Sequence, residues 1–484
     1  MKNTDVAIVG SGLSSLVSAA LLATEGVKVS IFEQNYLPGG CTSSYWRKGY
    51  TFDSGATTIV GFDDGMPMKI FSEKTGIDFK LRKLDPPMQV HMPDKKVLTR
   101  YNDINKWMAE AKNYWGSNED LRKFWEEMYK VSKDVWKVSG QQIQFPPSKT
   151  KDLLSLIKNF QPGQLKLVPA VFKNVQNEID NYQLNDLTHF KQFINEQLLI
   201  SAQNFAEEVN KPFGAAALCY TNYTNYYADG GLMGLIQPII DYLEENGVEL
   251  MLRNPVENIV KTKNGYEIIS KNGVFRSKYL ISGVPVNNTV QLCDFEIRKS
   301  NNSKILPSEK LYSAFQIGIG FKGKLDFRAI HHQILLDGKI PELDAESFFL
   351  SVNHPEDKSR APEDHSVANI SMHIRNPGNT RFDKEAVAKR VLKELDERNL
   401  IKRDSVDYLH SSTQFSWEKW TNRAFGFVGG YPQYHSIKPW QMIDARMDGD
   451  KAYQCGDSTY PGQGIPGVAL SGMIAVEKLK ADWF

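Results

Sequence analysis

The sequence predicts an α/β protein built on a parallel sheet with an inserted α+β region, and three observations predict it. A strand, glycine turn, helix and second strand fill residues 6–32. A further strand, turn and helix fill residues 452–479, and between the two lie long stretches of helical and then alternating character. The chain has 484 residues, 41% of them hydrophobic and 24% charged, which suits a large folded core and excludes a disordered tail, a fibre or one small module. Its 58 Lys+Arg against 57 Asp+Glu leave a net charge of +1, so no global field draws it to nucleic acid.

Val6-Ala7-Ile8-Val9 is a short apolar run of the kind buried in a parallel sheet, and it ends in Gly10-Ser11-Gly12. Leu13, Leu16, Val17, Ala20 and Leu21 then recur at helical spacing, Gly26 ends the helix, and Val27 to Phe32 form the second strand. This is a Rossmann-like βαβ unit. Gly10 permits the tight turn, and Gly12 removes a side chain that would block a pyrophosphate. The helix start offers free N–H groups and a positive dipole, so Gly10, Ser11, Gly12, Leu13 and Ser14 are candidate nucleotide contacts. Glu33, followed by Gln34, is placed to accept hydrogen bonds from a ribose 2′-hydroxyl and to repel a 2′-phosphate, which favours the adenosine of FAD or NAD over NADP. Ser15 stands where the third glycine of the pattern belongs and is small enough to fit.

Two features separate FAD from NAD. Gly39, Gly40, Cys41 and Thr42 follow just beyond Glu33, and a glycine pair there lets the backbone pass close to a cofactor that continues past its adenosine half; an ordinary strand-exit turn is the plainer alternative. At the other end, residues 452–455 read as a strand closing in Gly456-Asp457, and Val468, Ala469, Met473, Ile474, Val476 and Leu479 space out a helix with Pro466 in its first turn. Asp457 suits the sugar-alcohol chain of a flavin. Backbone N–H groups near Gly464 and Ile465, with the helix dipole, suit negative charge on the reduced ring.

These residues resemble the phytoene desaturase, carotenoid isomerase and retinol saturase family of FAD-dependent oxidoreductases. The resemblance rests on residues 6–61, including Gly39-Gly40 and Phe52-Asp53-Ser54-Gly55, on the block from Gly456 to Gly464, and on Gly230-Gly231-Leu232-Met233, Pro255-Val256 and Leu280-Ile281-Ser282-Gly283. It implies a glutathione-reductase-like two-domain flavoprotein. Its FAD-binding domain would comprise 1–80, 215–290 and 440–484, with the backbone near Val256 touching adenine, and an inserted α+β substrate domain would comprise 81–214 and 291–439. It also implies FAD-dependent redox chemistry on a long apolar isoprenoid polyene, with desaturation favoured over isomerisation or saturation. A flavin amine oxidase and a non-enzymatic prenyl-lipid carrier on the same scaffold are the alternatives.

No nucleophile with a base stands out, and a flavin needs none if the substrate carbon is held against the ring, so no catalytic residue is assigned. His331, His332, His373 and His435 read as core or surface histidines, Arg423 as either a cofactor-orienting group or a structural ion pair, and Thr57 and Thr58 as bordering the flavin face. Cys41, Cys219, Cys293 and Cys455 lie far apart with no zinc spacing, pointing to a reducing, cytoplasmic setting, no metal and a non-covalent flavin. Trp107, Trp115, Phe124, Trp125, Met128, Tyr129 and Trp136 read as helix-packing positions, with the lining of a polyene channel as the alternative, and Phe348–Val352 and Val367–Met372 as a sheet over the flavin.

Residues 148–173 carry five lysines and one acid, Asp152, among many apolar side chains. Two readings compete: a solvated lysine face over a normal core, and peripheral contact with a membrane surface.

Overall fold

In the computed structural model, which describes residues 2–55, 57–141, 144–160, 162–323 and 328–483, the run Val6 to Val9 is buried throughout, as a central parallel strand requires. That strand, β1 (Lys2–Val9), pairs in parallel on one side with β2 (Val29–Phe32) and on the other with Gly273–Ser282. The helix α1 (Leu13–Thr24) makes the crossover from β1 to β2. Glu249–Met251 extends the sheet beyond β2, and Ala452–Gln454 lies in parallel beside the end of Gly273–Ser282. An antiparallel meander, Val256–Thr262, Gly265–Ser270 and Gly273–Ser282, completes seven strands. One sheet thus draws strands from both ends and the middle of the chain.

Three helices cover one face of this sheet: α1, Met233–Glu245 and Ile465–Trp483. The C-terminal helix crosses α1 at backbone distance. A Cβ at Gly472 would overlap the Ser14 carbonyl oxygen, and Ser18 Oγ, 3.2 Å away, donates to the Gly472 carbonyl.

A second seven-stranded sheet runs in the order Val406–Ser412, Tyr312–Lys322, His365–Arg375, Ala345–Val352, His331–Ile340, Met88–His91, Val97–Arg100, and is antiparallel apart from the pair His331–Ile340 with Met88–His91. The alternating runs at 348–352 and 367–372 fall on two of its strands. It docks on the hairpin Ser44–Arg47 and Tyr50–Asp53 through glycines: side chains at Gly318 and Gly320 would overlap the rings of Phe52 and Tyr50. Gln316 Nε2 also donates to the Ser54 carbonyl at 2.9 Å, which ties this sheet to the end of the hairpin.

Helices Ile104–Trp115, Glu119–Gln141, Phe190–Ala202 and Lys211–Leu218 surround a separate core in which Trp107, Phe124, Trp125 and Met128 are buried, so these side chains pack helices together. The 148–173 stretch behaves otherwise. Residue 161 lies outside the described residues; the rest forms Thr150–Lys158, a 3-10 turn at Pro162–Lys166 and Leu167–Val171. Asp152 points inward, gripped by Arg446 at 2.6 and 2.9 Å, while Leu153, Leu154, Ile157, Phe160, Leu165, Val168 and Phe172 are exposed. A lysine face over a normal core is therefore not what forms here. No helix among the described residues is long and apolar enough to cross a membrane.

The contact at Gly472 generates a prediction. Alanine is normally better than glycine inside a helix by about 1 kcal/mol. Here Gly472→Ala should instead destabilise by about 1–3 kcal/mol, because the Ser14 backbone cannot yield. Denaturant unfolding would check this, and a stabilised variant would refute the tight crossing.

Candidate active site

Gly10, at φ 86°, makes the turn after β1 and donates its N–H to the Phe32 carbonyl at 2.8 Å. Gly12 then caps α1. The helix has no side-chain cap and no acid in its first turn, although Leu13, Ser14 and Ser15 are all buried. A buried helix start leaves N–H groups in want of an acceptor. A Cβ at Gly12 would meet nothing within 4 Å, so the space in front of that start is one that only an added group would fill. A nucleotide phosphate fits both facts.

Glu33 is 8% exposed, and its Oε2 accepts from the N–H (2.8 Å) and hydroxyl (2.7 Å) of Ser11. Its Oε1 accepts from the Asn35 N–H. Gln34 instead reaches the Trp420 carbonyl through Nε2 at 3.4 Å. The Asn254 N–H bonds the Glu33 carbonyl at 2.8 Å, which brings Val256, two residues on, to the same end of the sheet.

The glycine pair packs on the turn itself. Gly39 donates to the Ser11 carbonyl at 2.9 Å, a Cβ at Gly40 would come within 3.3 Å of the Gly12 Cα, and Thr42 donates back to the Gly39 carbonyl. Gly55 lies so close to the Cys41 carbonyl that any side chain there would overlap it. The departure at Ser15 is also accommodated from the other side: the missing room is supplied by Gly283, where a Cβ would overlap Ser15 Oγ.

The C-terminal turn meets this constellation. Gly456, at φ 116°, donates to Ser471 Oγ at 3.0 Å, and the Cys455 thiol sits among the hydroxyls of Ser14, Ser15 and Ser18 on α1. Burial pushes that thiol up to about 11, so it stays protonated. Gly464, at φ 83°, accepts the Val468 N–H and leads into the helix at Ile465, whose first turn also holds no acid. The Asp457 carboxylate, expected at the sugar-alcohol chain, receives Arg423 Nη2 at 2.7 and 2.8 Å. Arg423 is thus an ion-pair partner of a predicted site residue, and its field acts on the Cys41 thiol, which burial pushes up.

The structure gives Asp53, which the resemblance marked only as part of a pattern, its partners, and adds Arg360, which no motif marked. Asp53 Oδ1 accepts the Leu232 N–H and the Ser44 hydroxyl, both at 2.8 Å, and Oδ2 pairs with Arg360 at 2.8 Å, with both charged side chains at most 3% exposed. Gly231 is needed because a side chain there would overlap Asp53 Oδ1. The 230–231 glycines therefore let a buried aspartate cap the helix at Met233. Arg360 follows no recognisable pattern, and only its hydrogen bonds to the Thr51 carbonyl and its pairing with Asp53 reveal it.

Five histidines are held neutral, His91, His331 and His332 in the core and His373 and His410 partly buried. Burial pushes His331 and His332 down to about 3, and His91, His373 and His410 to about 4, from an ordinary 6.5. Because the folded values lie below the unfolded one, the unfolded chain binds protons first as the pH falls. Stability should be complete above about pH 6.5 and decline towards pH 4, each histidine forfeiting up to about 1.4 kcal/mol per unit. Melting temperatures between pH 7.5 and 4.5 would check this; a flat profile there would contradict the buried neutral imidazoles.

Residues 13–480 match the model of the family described as flavin containing amine oxidoreductase. The chloroplastic prolycopene isomerase 2 of an Oncidium hybrid cultivar is 25% identical over 505 residues, spanning 99% of this chain and 84% of its own. The 4,4'-diapophytoene desaturase (4,4'-diaponeurosporene-forming) of Staphylococcus haemolyticus is 24% identical over 514 residues, 99% of each chain. Among solved structures, an oxidoreductase from Methanosarcina mazei superposes with a TM-score of 0.67 at 17% identity, covering 98% of this chain and 100% of its own. A putrescine oxidase double mutant gives 0.66 at 13% identity over 99% of each. These structures share the two-sheet α/β fold described above. With the glycine turn, the glycine pair and the Gly-Asp turn gathered at one end of the parallel sheet, the chain belongs to the flavin-containing amine oxidoreductase family, whose cofactor is a flavin.

Proposed function

We propose that the protein is an FAD-dependent oxidoreductase acting on a long apolar isoprenoid polyene, and that Gly10 to Ser14, Glu33, Gln34, Gly39 to Thr42, Val256, Gly456, Asp457, Gly464 and Ile465 hold the FAD. The convergence of the two chain ends carries this reading. An uncapped buried helix start beside Glu33 suits the adenosine diphosphate half, and the Gly456-Asp457 turn, tied to α1 through Cys455 and to the C-terminal helix through Ser471, suits the ring half. The bound flavin would supply the hydride chemistry. The chain's own residues position the polyene, exclude water and manage charge.

An apolar substrate is favoured over an amine by the state of the carboxylates. Asp53 is paired with Arg360 and Asp457 with Arg423, while Asp357 receives the Tyr227 hydroxyl at 2.6 Å and the Gly230 N–H at 2.9 Å. A buried ammonium needs an uncommitted counter-charge, and these acids are committed. Desaturation is the reaction we favour, as named for the staphylococcal relative; isomerisation, named for the plant relatives, is the second reading. We also propose that the protein binds membrane surfaces peripherally from the cytoplasm through 148–173. Leu154 and Ile157 are 64% and 71% exposed, Phe172 lies 6.0 Å from the exposed Trp440, and with Asp152 buried that stretch shows lysines and no exposed acid. Such a basic, apolar-tipped face suits an anionic bilayer.

Two experiments test these proposals. Purified protein reconstituted with FAD should show the absorption bands of a bound oxidised flavin. Gly12→Ala should leave the melting temperature of the apoprotein within a degree or two, since its Cβ meets nothing, yet weaken FAD retention at least tenfold; no flavin binding by either protein would favour the carrier alternative. Sedimentation with vesicles containing phosphatidylserine should be lost in the double variant Leu154→Glu/Ile157→Glu, and undiminished binding would exclude this face.

A further inference from the structure

Dehydrogenating two adjacent carbons releases a hydride and a proton, and the flavin accounts only for the hydride. A small cavity beside Thr57, which the sequence analysis expects at the border of the flavin face, contains a group suited to the proton. Thr57, two residues beyond Gly55, lines it with Ile59, Leu232, His331, Ser351 and Val352, while Asp53, Tyr227 and Arg360 form its polar wall. His331 is 1% exposed. Its Nδ1 lies 2.8 Å from Ser351 Oγ and 3.5 Å from Thr57 Oγ1, the two hydroxyls are hydrogen-bonded to each other, and the ring stacks on Phe349. Its Nε2 is buried and has no hydrogen-bond partner. A polar atom so placed is costly unless something uses it.

We propose that His331 Nε2 is the proton acceptor in the dehydrogenation of the polyene, with Ser351 and Thr57 fixing the ring through Nδ1. This rests on the desaturase reading given above. In the step, one C–H bond would break with its electron pair leaving as hydride, which a bound oxidised flavin would accept as its two-electron oxidant. The C–H bond on the adjacent carbon breaks, its electron pair becomes the new carbon–carbon π bond, and its proton passes to Nε2. A carbon next to a developing positive charge is strongly acidic, so a weak base is sufficient.

The other groups of the cleft are unsuited to the task. Asp53 is bound by Arg360, the Tyr227 hydroxyl already donates to Asp357, and the Arg360 guanidinium is no base. Burial and the facing Arg360 hold His331 neutral, with His332 behind it on the same strand and His91 beyond, both neutral as well. The same Arg360 charge disfavours a lasting imidazolium, and the Nδ1 hydrogen bond to Ser351, continued to Thr57, gives the proton a way out.

The test uses FAD-loaded protein with phytoene or 4,4'-diapophytoene in vesicles, comparing wild type, His331→Gln and His331→Ala. Polyene binding, read by quenching of tryptophan fluorescence, should stay within about twofold in both variants, while single-turnover dehydrogenation falls by about 100-fold or more. Free imidazole should restore His331→Ala at least tenfold, with rescue rising as the added imidazole loses its proton. Full activity in His331→Gln, or no rescue in a His331→Ala that still binds polyene, would overturn the inference alone. A wild type that converts neither polyene would overturn the functional reading with it.

Discussion

The crossing of α1 by the C-terminal helix is the constraint on which the rest of the molecule depends. Two helix starts can serve one nucleotide only if they are brought to the same end of the sheet, and side chains between the helices would hold them apart. Gly472 and the small serines of α1 allow the backbones to touch. The same requirement explains the exchange at Ser15: what matters is room at the α1–strand contact, and Gly283 supplies from the strand what a third glycine would have supplied from the helix. A sequence pattern records one way of meeting a steric condition, whereas the fold records the condition itself.

Once the parallel sheet is closed, buried charge holds the inserted regions to it. Arg360, beyond the strand Ala345–Val352, reaches Asp53 on the first hairpin, while Arg423 reaches Asp457, and Arg446 binds both Asp152 of the exposed helical stretch and Asp482 of the C-terminal helix. Such pairs gain little net stability, because desolvating both partners offsets their attraction. Breaking one is costly, so each pair fixes a position. The arrangement also keeps acids from standing free in the cleft between the sheets.

The legible part of the sequence was the local part. β1, the glycine turn, α1 and Glu33 lie within about thirty residues, and hydrophobic period and turn chemistry are written at that range. The second sheet was visible in its alternating strands, although its order was not, because register depends on partners far along the chain. The Asp53–Arg360 pair spans some three hundred residues, and nothing near Arg360 announces it. Gly231 looked like a family pattern without a stated cause; its cause is an aspartate whose approach only three dimensions reveal. Asp152 was visible as the one acid among lysines, but its burial depends on Arg446 and could not be read from its neighbours.

That burial determines the character of the surrounding surface. An amphipathic helix on a water-soluble protein normally turns its apolar side inward. In Thr150–Lys158 the inward position is taken by Asp152, drawn down by Arg446, and rotation of the helix about that anchor leaves Leu153, Leu154 and Ile157 outward. The ion pair therefore accounts for an exposed apolar face that hydrophobic burial alone would not produce. Trp440 beside Phe172 continues this face towards Gln441, Met442 and Ile443, which line a cleft reaching Ser458, the residue after Asp457. The exposed apolar face thus adjoins, through Trp440 and the residues that follow it, a cleft that ends beside the Gly-Asp turn.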